Sequence, residues 1–373
     1  MLSPKESKQR KGRLIPLCRV LRQTRAVAVH GDRVFAVRSL VKNFWVKLMK
    51  KLIGHASTLG YLKKNIAENK FPHAVIFSGA EGIGKRLAAE ICAAAILCQN
   101  PSDGTACGVC ESCRLVAARS HPDFYVVEAE ETKTARSIKI GQIRDLQREA
   151  ALKPINSAPR VMIIDGAELL NNAAANCLLK TIEEPPSQTI FILLTANRSS
   201  LLMTIRSRCV TINFDKLTAE QIRDALIIRG VENSEAENLS VIADGSFGRA
   251  LKLKDLGGVE LRELAIELLE KMSRAELTNE EIFTKGAEIA EWSREKFADF
   301  LIHMQKILRD VCFGEFLTLR NPDLAERLSK IKISERRIYS MIETGAEFYK
   351  RLKSNANLRL LAEAYLLQLK KII

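Results

Sequence analysis

Between residues 74 and 214 short apolar runs alternate with longer segments whose apolar positions recur every three to four residues. Ala74–Phe77, Phe124–Val127, Val161–Asp165, Ile190–Leu194 and Cys209–Phe214 predict five strands. Residues 56–70, 85–97, 137–152 and 172–183 predict the helices between them, the last one stopped by Pro185-Pro186. The strands are apolar throughout, without alternation between two faces. That pattern indicates an α/β fold whose parallel sheet is covered on both sides. Beyond residue 215 the strand signal stops. Residues 218–271 read as short helices and 279–373 as longer ones. Phe297, Phe300, Leu301, Met304, Leu308 and Val311 share one helical face, and Leu358, Leu361, Ala362, Tyr365 and Leu369 share another. The expected organisation is an α/β domain over 49–214, a small helical domain over 215–273 and a terminal helical domain over 274–373. No internal repeat and no low-complexity linker is present.

Charge modifies this picture at one end only. The chain of 373 residues carries a net charge of +14. Residues 1–48 hold twelve Lys/Arg against Glu6 and Asp32, so the remaining body is only mildly basic. It does not announce a DNA-binding face. The first 48 residues have the Arg-rich, acid-poor character of an organellar transit peptide. The favoured reading is a misassigned start ahead of Met49, which stands directly before a sequence that begins like a domain. No apolar stretch is long and charge-free enough for a membrane span.

Gly79-Ala80-Glu81-Gly82-Ile83-Gly84-Lys85 follows the first strand and opens a helix, the context a phosphate loop requires. Gly79, Gly82 and Gly84 let backbone N–H groups turn around phosphate oxygens, and the helix N-terminus favours negative charge. Lys85 would reach the terminal phosphates. The next residue in a working loop is Ser or Thr, which helps to hold Mg²⁺. Here it is Arg86, which cannot ligate a cation. Asp165 ends an apolar strand in the Walker B manner, but Gly166 stands where an active hydrolase of this kind has a glutamate to polarise water. Glu168, three residues on from Asp165, is not expected to reach that water. Two catalytic positions are lost together, so the cradle is expected to persist without the hydrolytic chemistry.

Of nine cysteines, Cys98, Cys107, Cys110 and Cys113 form a C-x8-C-x2-C-x2-C cluster. Four thiolates at this spacing suit a closed, structural Zn²⁺ site. The other five are scattered, as in a reducing cytoplasm.

Several stretches in combination resemble the clamp loader of bacterial DNA polymerase III, and within it the delta-prime type of subunit. They are Phe71–Gly79, the phosphate loop, the cysteine spacing, Asp165-Gly166-Ala167-Glu168, Asn176–Pro186 and Ser207-Arg208-Cys209. Asn355-Ala356-Asn357-Leu358 looks like the start of that family's last helix. The resemblance covers roughly 49–373 and offers no counterpart for 1–48. It implies a RecA-like AAA+ domain with a zinc-binding insertion at 98–113, a helical lid and a C-terminal helical collar. It implies a cytoplasmic, bacterial heteropentameric ring with gamma/tau and delta subunits, acting on the sliding clamp and primed DNA. ATP sits between neighbours in such rings. Arg208 of the Ser-Arg-Cys motif would serve the adjacent subunit's ATP as an arginine finger. Thr195, with Asn197, and Arg249 fall at the family's two sensor positions. Because every loop glycine and Lys85 are kept, nucleotide binding by this subunit stays an open expectation.

Two other readings compete. An active gamma/tau-type ATPase would keep the loop but is opposed by Arg86 and Gly166. A stand-alone DNA-binding protein would rest on the basic N-terminal segment alone.

Overall fold

The computed structural model describes residues 52–131, 136–155, 159–186, 188–314, 319–352 and 356–373. The basic segment 1–48 and Asn355 lie outside the described residues.

Among the described residues, α1 (Ala56–Ala67) precedes β1 (Ala74–Ser78), which runs through the glycine loop into α2 (Lys85–Ile96). Next come α3 (Glu111–Ala117), β2 (Phe124–Glu128), a two-residue pairing of β3 (Glu130–Glu131) with β4 (Arg136–Ser137), and α4 (Ile140–Ala151). Then follow β5 (Arg160–Asp165), α5 (Asn172–Glu183), β6 (Thr189–Thr195), α6 (Met203–Arg206) and β7 (Val210–Asn213). The five main strands lie in the order β2-β5-β6-β1-β7, every neighbour parallel. Each predicted strand is present within a residue or two of its expected bounds.

The unbroken apolar runs are explained by burial on both faces. Val75, Phe77, Val161, Ile163, Ile192 and Leu194 face one core, shared with α1 and α2. Their alternates Ala74, Ile76, Met162, Ile164, Phe191 and Leu193 face the other, shared with α4 and α5. The sheet's entry edge is fixed by one buried ion pair: Arg160 at the start of β5 lies 3.1 Å from Asp123 just before β2, and both are almost fully buried. Asp123 also accepts from the Ile155 N–H, so its charge is paired and hydrogen-bonded, as burial demands.

α7 (Ala219–Ile228), α8 (Asn233–Ile242) and α9 (Phe247–Leu256) enclose a separate small core. α10 (Gly258–Ser273) sends Leu261, Ala265, Ile266, Leu268, Leu269 and Met272 into the C-terminal core. That core is completed by α11 (Asn279–Ala290), α12 (Arg294–Phe313), α13 (Ala325–Ser329), α14 (Glu335–Arg351) and α15 (Leu358–Ile372). The packing therefore changes core near residue 258, not near 273. Continuous helical character through 218–271 hides that change in the sequence. Among the described residues, no helix is long and apolar enough to cross a membrane.

Candidate functional site

The C-terminal ends of β2, β5 and β6 line a cleft of about 890 Å³ together with the loop after β1 and the start of α2. Parallel strands bring this edge into being, because every strand delivers its last residue to the same side. Gly82, Gly84, Lys85, Arg86, Glu128, Asp165, Gly166, Glu168 and Thr195 all line it.

Gly82 (φ +76°) is in a conformation that favours glycine. It is also pressed from above. The Gly248 N–H donates to Gly82 O at 2.8 Å, and Ser246 Oγ donates to Glu81 O at 2.7 Å. The N-terminus of α9 thus sits directly on the loop, and a Cβ on Gly248 would meet Gly82 Cα at 2.8 Å. Lys85 is turned back into its own loop, donating from Nζ to Gly79 O and Ala80 O, each at 2.6 Å. Burial lowers its pKa, against the opposing charges of Glu168, Asp165 and Glu81.

Arg86 lies across the cleft floor. Its Nη1 is 2.5 Å from Asp165 Oδ2, its Nη2 2.6 Å from Glu128 Oε1, and its Nε 3.0 Å from Glu90 Oε1. Arg119 adds a second cation, 2.7 Å from Glu90. Burial alone would lower the Arg86 pKa, but the hydrogen bonds to Glu128 and Asp165 and the charge of Glu90 raise it above its ordinary value. The aspartate that could orient a metal ion is instead paired with a fixed guanidinium.

Gly166 stands at φ +78°, a conformation that strains any L-residue with a side chain. A glutamate here would carry that strain, with its Cβ 3.1 Å from Leu169 Cδ1. Glu168 lines the cleft, with Oε2 buried and without a partner. Its Oε1 accepts from the Ala196 N–H at 3.1 Å, tying down the end of β6. The Thr195 hydroxyl is likewise engaged, accepting from the Asn197 N–H at 3.1 Å. Arg249 is not part of the cleft lining. Its Nη2 is buried without a partner, and its charge acts on Asp299, His303 and Lys306 of α12. The cleft therefore gathers the loop, Asp165 and Thr195, and leaves Arg249 outside.

Arg208 lies in a separate location. Nη2 is 2.8 Å from Glu183 Oε1 at the end of α5, and Nη1 donates to Thr204 O at 3.1 Å. Its side chain remains two-fifths exposed.

Cys98, Cys107, Cys110 and Cys113 converge with all four Sγ atoms within 4.8 Å of one another, and could hold a metal ion. The loop between α2 and α3 makes this possible. Cys98 follows α2, and Cys110 caps α3, accepting from the Cys113 N–H. Backbone N–H groups of Cys107, Val109 and Cys110 also point at the sulfurs. Burial works against the Cys107 thiolate, but the Val109 and Cys110 N–H groups hold its pKa below the ordinary thiol value.

Glu90, Glu128 and Arg119 carry no motif of their own, and Glu183 stands inside the Asn176–Pro186 stretch with no role assigned to it by sequence. Glu128 alone left a trace, since it ends a strand whose register sets it opposite Asp165.

This arrangement defines the class: an α/β domain built on a five-stranded parallel sheet, with a glycine loop between β1 and α2, followed by a C-terminal helical region. Residues 54–218 match the family model described as "DNA polymerase III, delta subunit". The chain is similar to the DNA polymerase III delta' subunit of Pseudomonas aeruginosa, at 36% identity over 54% of this chain and 61% of that protein. It is similar to the delta' subunit of Bacillus subtilis at 28% identity, over 83% of this chain and 94% of that protein. It also matches the Bacillus subtilis tau subunit at 32% identity, over 58% of this chain and 39% of that protein. The match to the Pseudomonas protein thus spans about three fifths of its length, and that to tau about two fifths.

Proposed function

We propose that this chain is a delta-prime-type subunit of a DNA polymerase III clamp loader, helping to load the sliding clamp onto primed DNA. It does not hydrolyse ATP itself and offers Arg208 to the ATP of a neighbouring subunit. The observation that carries this reading is the ion pair of Arg86 with Asp165. It fills the metal position with a side chain, in a cleft that also lacks the glutamate after the aspartate.

The domain roles follow: an AAA+ domain over 49–214, a lid over about 215–257 and a collar formed by the helices from 258 onward, through which the ring assembles with gamma/tau and delta partners. Leu360 and Leu367, seven residues apart on α15, are exposed, as is Phe283 on α11, which supports a collar face that neighbours cover. The four-cysteine cluster is read as a structural Zn²⁺ site. Tetrahedral Zn–S bonds of about 2.3 Å give sulfur–sulfur edges of about 3.8 Å. The cluster's Cys98–Cys110, Cys107–Cys113 and Cys98–Cys113 distances are 3.9, 4.0 and 3.7 Å.

The test is ATP turnover by a reconstituted loader carrying Arg208→Ala. Assembly is expected to survive and turnover to fall. Unchanged turnover would remove the finger assignment. The similarity to tau subunits favours a second reading, an ATPase in its own right. Steady hydrolysis by the purified chain, abolished by Lys85→Ala, would select it.

A further inference from the structure

Arg208 does not wait free for a neighbour. Nη2 pairs with Glu183 at 2.8 Å, and Nη1 donates to Thr204 O at 3.1 Å and reaches Ser207 Oγ at 3.3 Å. Ile205 and Cys209 on either side are buried and anchor the segment that carries it. The arginine side chain itself is two-fifths exposed. Glu183 is the last residue of α5, where the helix dipole disfavours a carboxylate. Nearby, Met203 and Val210 are exposed, Met203 by 74%, so apolar surface flanks the pair. A neighbouring subunit covering this face would desolvate the pair and bring a phosphate into competition with the carboxylate.

We propose that Glu183 is the resting partner of Arg208, a positioning residue that holds the guanidinium within its own chain until a neighbour's nucleotide displaces it. The idea rests on the finger reading above. Engagement of the phosphate then requires breaking an ion pair, so Glu183 restrains turnover in the loader before clamp and DNA complete the assembly. Half-exposed pairs of this kind are worth a few-fold in an equilibrium, which sets the size of the restraint.

The test uses the reconstituted loader without clamp or DNA. Glu183→Gln keeps the side chain's shape and removes its charge. It is expected to raise basal kcat about two- to five-fold, with KM for ATP, subunit assembly and thermal midpoint unchanged. Arg208→Ala and the double variant are expected to be equally low, because Glu183 acts only through Arg208. If Arg208→Ala is low and Glu183→Gln is no faster than wild type, the restraint is wrong and the finger stands. If Arg208→Ala turns over like wild type, the finger reading falls and the restraint with it. A merely structural role for Glu183 would lower the thermal midpoint or assembly and would not raise kcat.

Discussion

Arg86 Nη1 lies 2.5 Å from Asp165 Oδ2, so a guanidinium is paired with the carboxylate that a phosphate-loop enzyme uses to orient its metal. The same guanidinium also pairs with Glu90 and Glu128. One guanidinium thus touches three carboxylates, Asp165 and Glu128 at the sheet edge and Glu90 on α2, with Arg119 as a second cation on Glu90.

Replacing this cation should create a demand for another. Arg86→Thr is expected to cost about 1–2 kcal/mol in metal-free buffer, allowing for the partial exposure of Glu128 and Asp165. Millimolar Mg²⁺ should restore part of the loss in the variant and leave the wild-type melting temperature where it was. Thermal denaturation with and without Mg²⁺ measures both. A wild-type midpoint that rises with Mg²⁺ would contradict the arrangement.

The contact between the loop and the start of α9 is tight enough to be tested by one methyl group. Gly248→Ala places a Cβ 2.8 Å from Gly82 Cα, a backbone atom that cannot rotate away. The expected cost is about 1–3 kcal/mol. Faster amide exchange at Gly248, whose N–H donates to Gly82 O, should accompany it. Unaltered exchange there would mean that the helix does not rest on the loop.

His303 makes stability depend on pH. Burial, with the charges of Lys306, Arg249 and Arg262, lowers its pKa to about 3. Its two ring nitrogens have no hydrogen-bond partner, and Asp299 stands one turn before it on α12. The folded pKa is depressed below the unfolded value of about 6.5. The unfolded chain therefore takes up a proton that the native state refuses, and stability falls as pH drops below 6.5 toward 3. The slope from this residue is at most about 1.4 kcal/mol per pH unit. Denaturant titrations of His303→Leu at several pH values should show a shallower slope than wild type between pH 6 and 4. Equal slopes would remove His303 as the cause.

The cysteine cluster should bind one Zn²⁺ per chain, released by thiol-modifying reagents and counted with a chromogenic chelator. Cys113 is fully buried. Cys113→Ser is expected to abolish stoichiometric zinc and to weaken the segment between α2 and β2 by an amount on the order of several kcal/mol. A chain purified without metal, and as stable as its zinc-loaded form, would rule out a structural ion.

Much of this site could be read from one dimension, where local chemistry decides. The glycine loop lies between a strand and a helix, and each of its residues acts through its own backbone. Arg86 and Gly166 stand at fixed offsets from Lys85 and Asp165, so their departures were visible by counting. Zinc-type cysteine spacing is local for the same reason. The parallel sheet followed from unbroken apolar runs, because a strand buried on both faces has no solvent side to mark.

What the sequence could not express are distances between elements. The partners of Arg86 are Glu90, one turn along its own helix, and Glu128 and Asp165, 42 and 79 positions away. Glu183 reaches Arg208 only because α5 and α6 pack against each other. The sensor-like Arg249 was expected by its position, but the direction of α9 takes its charge toward α12 instead of the cleft. α10 was assigned to the small helical domain on continuity alone, and packing gave it to the C-terminal core. The sequence by itself determined the elements, the glycine loop and the presence of Arg86 and Gly166 at its key offsets, since these depend on residue type and spacing along one backbone. The tertiary structure alone decided which charges compensate one another and where each arginine points, since ion pairing depends on approach in space, and only the packed fold brings those side chains together.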